Sequence, residues 1–145
     1  MSIVNLGKQH PAAYEQLLSL NEQAEAAVQQ AGVEPRLAEL VKIRISQING
    51  CAFCLRMHTR DAVAKGETSD RLAVVAAWWE SQYFTPQERA ALALAEQITR
   101  LSVPDSRVWD DGSLTSQQVS AVGWLAIVMN AWNRVAITSG YPVGP

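Results

Sequence analysis

Cysteine is scarce here, two of 145 residues, so no disulfide framework holds the chain together. Basic runs are missing as well: twelve Lys and Arg face fourteen Asp and Glu, for a net charge of −2. Nucleic acid demands a concentrated cationic face, so no nucleic-acid partner is expected. Nor is there the run of roughly 20 apolar residues that a membrane span requires. The longest candidate, Val119 to Met129, is broken by Ser120 and Gly123, and no membrane partner is expected. No alternating apolar/polar stretch bounded by turn residues occurs, which removes the signature of a half-buried strand. The opening residues Met1-Ser2-Ile3-Val4-Asn5-Leu6 have no charged segment before an apolar core and no small-residue cleavage site. They do not read as a secretory leader, and a cytoplasmic, reducing setting is expected.

What is present is a globular composition, 48% apolar and 18% charged, of a length that suits one domain over residues 1–145. The punctuation is helical. Pro11 opens a first helix that stops at Gly32, and Pro35 opens a second that ends at Asn49-Gly50. A third starts near Cys51 and closes at Gly66. Thr68 or Ser69 caps a fourth, which carries Leu72, Val75 and the Trp78-Trp79 pair. Thr85-Pro86-Gln87-Glu88 is a capping box for a fifth, with Pro104 just beyond its end. A loop over 102–112 leads to Thr115 and Gln118, a second capping box, and a long helix up to Gly140. The fold class is all-α, with about six helices. Neither a linker nor a repeat divides the chain. The second helix carries Ile43 opposite Leu37 and Ile48 and is apolar on more than one face. Together with five tryptophans, this points to self-association.

Chemistry concentrates in Cys51-Ala52-Phe53-Cys54, a CxxC in a setting where thiols stay free unless they have redox or metal work. On a helical wheel with Cys54 at zero, His58 falls at about 40°, Cys51 at about 60° and Ala62 at about 80°. Both thiols and the imidazole therefore share one face, and Cys54 and His58 stand one turn apart. Cys51 sits at the helix start, where unpaired N–H groups and the positive dipole end favour a thiolate. A thiolate attacks peroxides and disulfides, and a second thiol one turn away converts a sulfenic acid into a disulfide. His58 is placed to accept the Cys54 proton. A zinc site would need two thiolates, an imidazole and a further ligand. Crowding three of these on one helical turn leaves a single outside ligand, so no metal and no cofactor is expected.

The spacing Glu39, eleven residues, Cys51-x-x-Cys54, three residues, His58 resembles the signature of the alkylhydroperoxidase D core. The resemblance extends to Phe84-Thr85-Pro86-Gln87-Glu88-Arg89-Ala90 and Met129-Asn130-Ala131-Trp132-Asn133-Arg134, and covers the chain from about Ala38 to Ala136. The wider grouping is the carboxymuconolactone decarboxylase-like superfamily, helical and oligomeric. The resemblance implies an alkylhydroperoxidase D-like helical fold and a homotrimer, or a hexamer built from it. It also implies a peroxidase or disulfide reductase that draws on a dithiol or protein reductant. Within it, Cys54 is the peroxidatic thiol, Cys51 the resolving and more accessible thiol that meets the reductant, His58 the proton acceptor, and Glu39 the group that orients or reprotonates His58. Taken without the resemblance, Glu39 reads as a solvated helix residue. Phe53 stands where some relatives carry another histidine.

Two other functions fit parts of the pattern. One is a lyase of the carboxymuconolactone decarboxylase type, whose chemistry has no need of a thiol pair. The other is a non-enzymatic redox sensor that toggles a Cys51–Cys54 disulfide. His10, Trp78 and Trp79 read as structural, Asp61 as a solvated charge beside His58, and Asn133 and Arg134 as anchors of helix ends or of a neighbouring subunit.

Overall fold

In the computed structural model, residues 2–102, 107 and 109–145 are described. Seven α-helices follow one another: α1 Leu6–Gln9, α2 Pro11–Gln30, α3 Pro35–Asn49, α4 Ala52–Ala64, α5 Ser69–Val74, α6 Pro86–Arg100 and α7 Ser116–Thr138. A 3-10 segment, Val75–Glu80, continues α5. No strand occurs among the described residues, and none of their helices is long and apolar enough to cross a membrane.

The helix starts follow local chemistry. Pro11, Pro35 and Pro86 each occupy the first turn, where a missing N–H costs nothing. Thr85 with Glu88 and Thr115 with Gln118 form complete capping boxes. Gly50 matters most to the site. Its backbone is left-handed, φ +70°, a region in which any other residue is strained. This turn ends α3 and swings the chain so that Cys51 becomes the N-cap of α4.

α3 is the central helix. Every residue from Leu37 to Ser46 is buried, and it packs on α4, α6 and α7. On one side Leu37, Val41 and Ile45 join Leu94, Val122 and Leu125. On the other, Leu40 and Ile43 join Val75, Trp78, Phe84 and Leu92. The apolarity of this helix all round is thus accounted for inside one chain, and Ile43 does not call for a partner. A helix covered on every face by its own neighbours needs no polar stripe.

Two details differ from the expected helices. The fourth does not run as one α-helix through the tryptophans; it tightens at Val75, and Ala77 leaves helical geometry altogether, φ −128° and ψ 35°. Arg89 explains how the freed carbonyls are satisfied. Its guanidinium donates to the carbonyls of Trp78, Trp79 and Ser81 at 2.9–3.1 Å. The short α1 was not foreseen; Asn5 caps it by accepting from the Lys8 amide at 2.9 Å. Pro104, expected just past α6, lies outside the described residues.

Candidate functional site

The face of α4 that holds Cys54, His58 and Ala62 is its buried face. Cys51, as N-cap, accepts a hydrogen bond from the Cys54 amide at 3.4 Å. The two cysteines are free, and their sulfurs stand 2.6 Å apart. Neither thiol is open to solvent, Cys51 being 1% and Cys54 2% exposed. The greater exposure expected of Cys51 is therefore not found. Burial of Cys51 follows from the Gly50 turn, which tucks the N-cap against the end of α3.

Glu39 is 1% exposed, not the solvated residue that its position alone suggests. Its two oxygens have separate partners. Oε2 lies 3.0 Å from His58 Nδ1, while Oε1 accepts from Lys65 Nζ at 2.5 Å and Lys42 Nζ at 3.3 Å. Burial pushes this carboxyl up, but the His58 hydrogen bond and the two ammonium groups outweigh it and hold the pKa at about 2. Glu39 is therefore a carboxylate at neutral pH and can only accept. His58 Nδ1 must then carry the hydrogen, which leaves Nε2 as the lone-pair nitrogen of the neutral ring. Glu39 is thus placed to hold His58 in that tautomer.

Cys54 behaves differently from a thiol activated by a helix end. Burial, reinforced by the neighbouring Cys51, pushes it up to about 12, against a downward pull from the Asn133 side chain. Within the first turn of α4 the dipole contributes about 0.3–1 kcal/mol, too little to offset removal from water. The resting Cys54 is a protonated thiol, and its reaction as a nucleophile depends on a base taking that proton.

A pocket of about 450 Å³ brings these groups together. Cys54, His58, Lys42 and Asp61 line it together with Tyr14, Phe53, Met129 and Trp132, so reactive and aromatic side chains share its wall. Tyr14 and Trp132 meet edge to face at 5.3 Å, and the Trp132 indole donates to Asn21 Oδ1 at 3.1 Å. Asp61 lies 3.7 Å from His58 Nδ1 with its side chain half exposed. The ligand atoms of Glu39, His58 and Asp61 lie within 4.8 Å of one another, a spacing open to a cation. Two ammonium groups already neutralise the carboxylate that would anchor one, so the set does not favour it.

Several contributors escaped the sequence reading. Lys42 is one turn from Glu39, and Lys65 is two turns from His58, so helical spacing carried their signal. Lys42 also pairs with Glu25. Asn133 is fully buried, so it presents no surface to a neighbouring subunit, but it does hold the end of α3. It accepts from Asn49 Nδ2 at 2.9 Å and donates to Ser46 Oγ at 3.1 Å, tying α7 to α3 behind Cys54. A polar residue on the buried stripe of Leu125, Met129 and Ala136 was its signal. Arg134 is exposed and donates to the Asn130 carbonyl.

Comparison with known proteins agrees with this architecture. Residues 11–97 match the carboxymuconolactone decarboxylase family. The uncharacterized protein YdfG of Bacillus subtilis is 38% identical over 122 residues, 80% of this chain and 82% of that protein. YnjA of Escherichia coli, also uncharacterized, is 34% identical over 76 residues, 51% of this chain and 42% of that one. A crystal structure from Agrobacterium tumefaciens superimposes with a TM-score of 0.84 at 29% identity, over 99% of this chain and 100% of its own. That protein is described as of unknown function and proposed to be the antioxidant defence protein AhpD. The seven-helix architecture around a buried α3, and the family match across α2 to α6, show that this chain belongs to the carboxymuconolactone decarboxylase family and has the alkylhydroperoxidase D-like fold.

Proposed function

We propose that the chain is a thiol peroxidase: Cys54 reduces hydroperoxides, Cys51 resolves the product, and His58, oriented by Glu39, moves the proton. One observation carries this reading. The buried Cys54 thiol shares a pocket with His58, whose Nδ1 is held by an ionised carboxylate and whose Nε2 is left to act as a base. His58 takes the Cys54 proton, and the thiolate attacks the outer peroxide oxygen. The O–O bond breaks, leaving a sulfenic acid on Cys54 and an alkoxide that receives the proton from His58 as an alcohol. Cys51 then attacks the Cys54 sulfur, forming the disulfide and releasing water. A thiol reductant restores both thiols.

The test is peroxide consumption with dithiothreitol as reductant, on the wild type and on Cys54→Ser. Turnover by the wild type and none by Cys54→Ser is the expected result. Equal turnover by both would overturn the assignment of Cys54, and a single stoichiometric oxidation without turnover would point to a sensor.

A homo-oligomer, trimer or hexamer, forms part of the same proposal. Trp124 and Ile127 are about half exposed and lie one turn apart on the outer side of α7, an apolar pair of the kind that interfaces cover.

A further inference from the structure

Lys65 closes α4 as its C-cap. Its amide donates to the carbonyls of Asp61 and Ala62 at 3.0 and 3.1 Å, and Gly66 then turns the chain away at φ +90°. Lys65 follows His58 by about two helical turns, so its side chain leaves on the same face. Its Nζ donates to Glu39 Oε1 at 2.5 Å. The same carboxylate holds His58 Nδ1 on its other oxygen, so ammonium and ring stand one carboxylate apart. Lys65 does not line the pocket of Cys54. It borders a second recess, of about 810 Å³, between α2 and the start of α3. Substrate in the first pocket therefore does not meet Lys65, whose route to the chemistry runs through Glu39.

We propose that Lys65 is a positioning residue for the thiol chemistry: its ammonium, held on Glu39, keeps the His58 ring uncharged at rest, so that Nε2 is free to take the Cys54 proton. The proposal rests on the peroxidase reading and deepens it by naming what keeps His58 able to accept. The charges around the ring carry the argument. Tyr14 and Glu25 face the site from α2, Glu39 and Lys42 from α3, Cys54 and Asp61 from α4, and Tyr141 from beyond α7. Glu22 and Glu34 border the recess on the far side of Lys65. Close to the ring, the carboxylates of Glu25, Glu39 and Asp61 are set against the ammonium groups of Lys42 and Lys65, which leaves one negative charge in surplus. Lys42 is shared between Glu25 and Glu39, whereas Glu39 is the one carboxylate that pairs with Lys65 among the described residues. Asp61 lies 3.7 Å from His58 Nδ1. Without Lys65 the ring would face a surplus of two, and negative surroundings favour the protonated imidazole. An imidazolium has no lone pair at Nε2 and cannot accept the proton from Cys54 Sγ. Lys65 thus keeps a proton off the ring until the thiol supplies one.

Two readouts test this, and one needs no peroxide. The chain has two histidines, so the His58 imidazole can be followed by NMR against pH, with His10→Ala to assign its signal. In Lys65→Met the midpoint of that titration should move up by about one pH unit. Oxidation by cumene hydroperoxide should follow it, about ten-fold slower below the midpoint and near the wild-type rate on the alkaline plateau. Lys65→Gln removes the same charge and should act alike, while Lys65→Arg keeps the charge and should restore both profiles. Asp61→Asn takes a carboxylate from the ring; it should move the midpoint down, and in the Lys65→Met background return it toward the wild type. The Lys65 and Asp61 side chains are 40% and 51% exposed, so folding is retained. A midpoint unmoved in Lys65→Met and Lys65→Gln, or a rate loss equal at every pH, would overturn the proposal and leave Lys65 a contact at the helix end. A wild type that peroxide does not oxidise would defeat the peroxidase reading alone, since the NMR titration still decides whether Lys65 governs the ring.

Discussion

At the scale of single residues, the site turns on which groups hold a proton at rest. Glu39 is ionised and Cys54 is not, and the same burial produces both once their neighbours are counted. Two lysines and a histidine N–H surround the carboxylate, whereas the thiol has a second thiol and a side-chain amide. His58→Ala should therefore slow peroxide-driven oxidation by about 10²–10⁴. The residual rate should climb with pH across the alkaline range, because the unaided thiol ionises only toward about 12. A pH profile unchanged from wild type would remove His58 from the proton transfer. Cys51→Ser should stop after one turnover with a sulfenic acid on Cys54, located by a sulfenic-acid probe and mass spectrometry. An adduct formed on Cys51 in Cys54→Ser, as fast as in the wild type, would reverse the two thiols. Glu39 also carries a stability consequence. Its carboxyl lies at about 2 in the fold against an ordinary 4.5. Between these values the unfolded chain binds the proton and the folded chain does not. The stabilisation is therefore complete above about pH 4.5 and is lost as pH falls toward 2, a difference of about 3 kcal/mol. Glu39→Gln should show that loss in urea unfolding at pH 7 and converge on the wild type near pH 2. A penalty independent of pH would assign the role of Glu39 to packing.

At the scale of elements, α3 and α7 are joined by apolar contact and by a polar seam, Ser46, Asn49, Asn130 and Asn133, directly behind Cys54. Asn49 donates to both asparagines on α7 at 2.9 Å, and Ser46 Oγ donates to the Lys42 carbonyl at 2.8 Å. Within a buried seam each group depends on the next, since a donor left unpaired costs about 1–3 kcal/mol. Asn133→Leu preserves volume but removes one acceptor and one donor. The unfolding midpoint should fall by an amount in that range, and peroxide oxidation should slow as the Cys54 thiolate loses its amide. An unchanged midpoint with normal oxidation would assign the tie between α3 and α7 to apolar contact alone.

At the scale of the whole molecule, α3 packs against α4, α6 and α7, and the pocket of Cys54 and His58 is lined from α2, α3, α4 and α7. Large apolar residues are left exposed on several elements, Trp124 and Ile127 on α7 among them. Sedimentation at micromolar concentration should give a species larger than a monomer, and Trp124→Asp should shift it toward the monomer. A wild type that sediments as a monomer would overturn the oligomer.

The all-helical class, most helix starts and the shared face of Cys51, Cys54 and His58 were decided within the sequence, because capping and 3.6-residue periodicity are local properties. Proline, threonine and glycine act on the backbone within a few residues of themselves, so their signals need no knowledge of the fold. What lay beyond reach depended on packing between distant segments. Only the fold shows that Glu39 is buried and held by Lys65 from the end of α4, that Asn133 belongs to the wall behind Cys54, and that Ile43 is covered by the chain's own Trp78 and Leu92. Only the fold decides the protonation of Cys54, because desolvation depends on what surrounds the sulfur. Read from sequence, the helix N-terminus favours a thiolate at Cys51, whereas the enclosed site keeps Cys54 a protonated thiol.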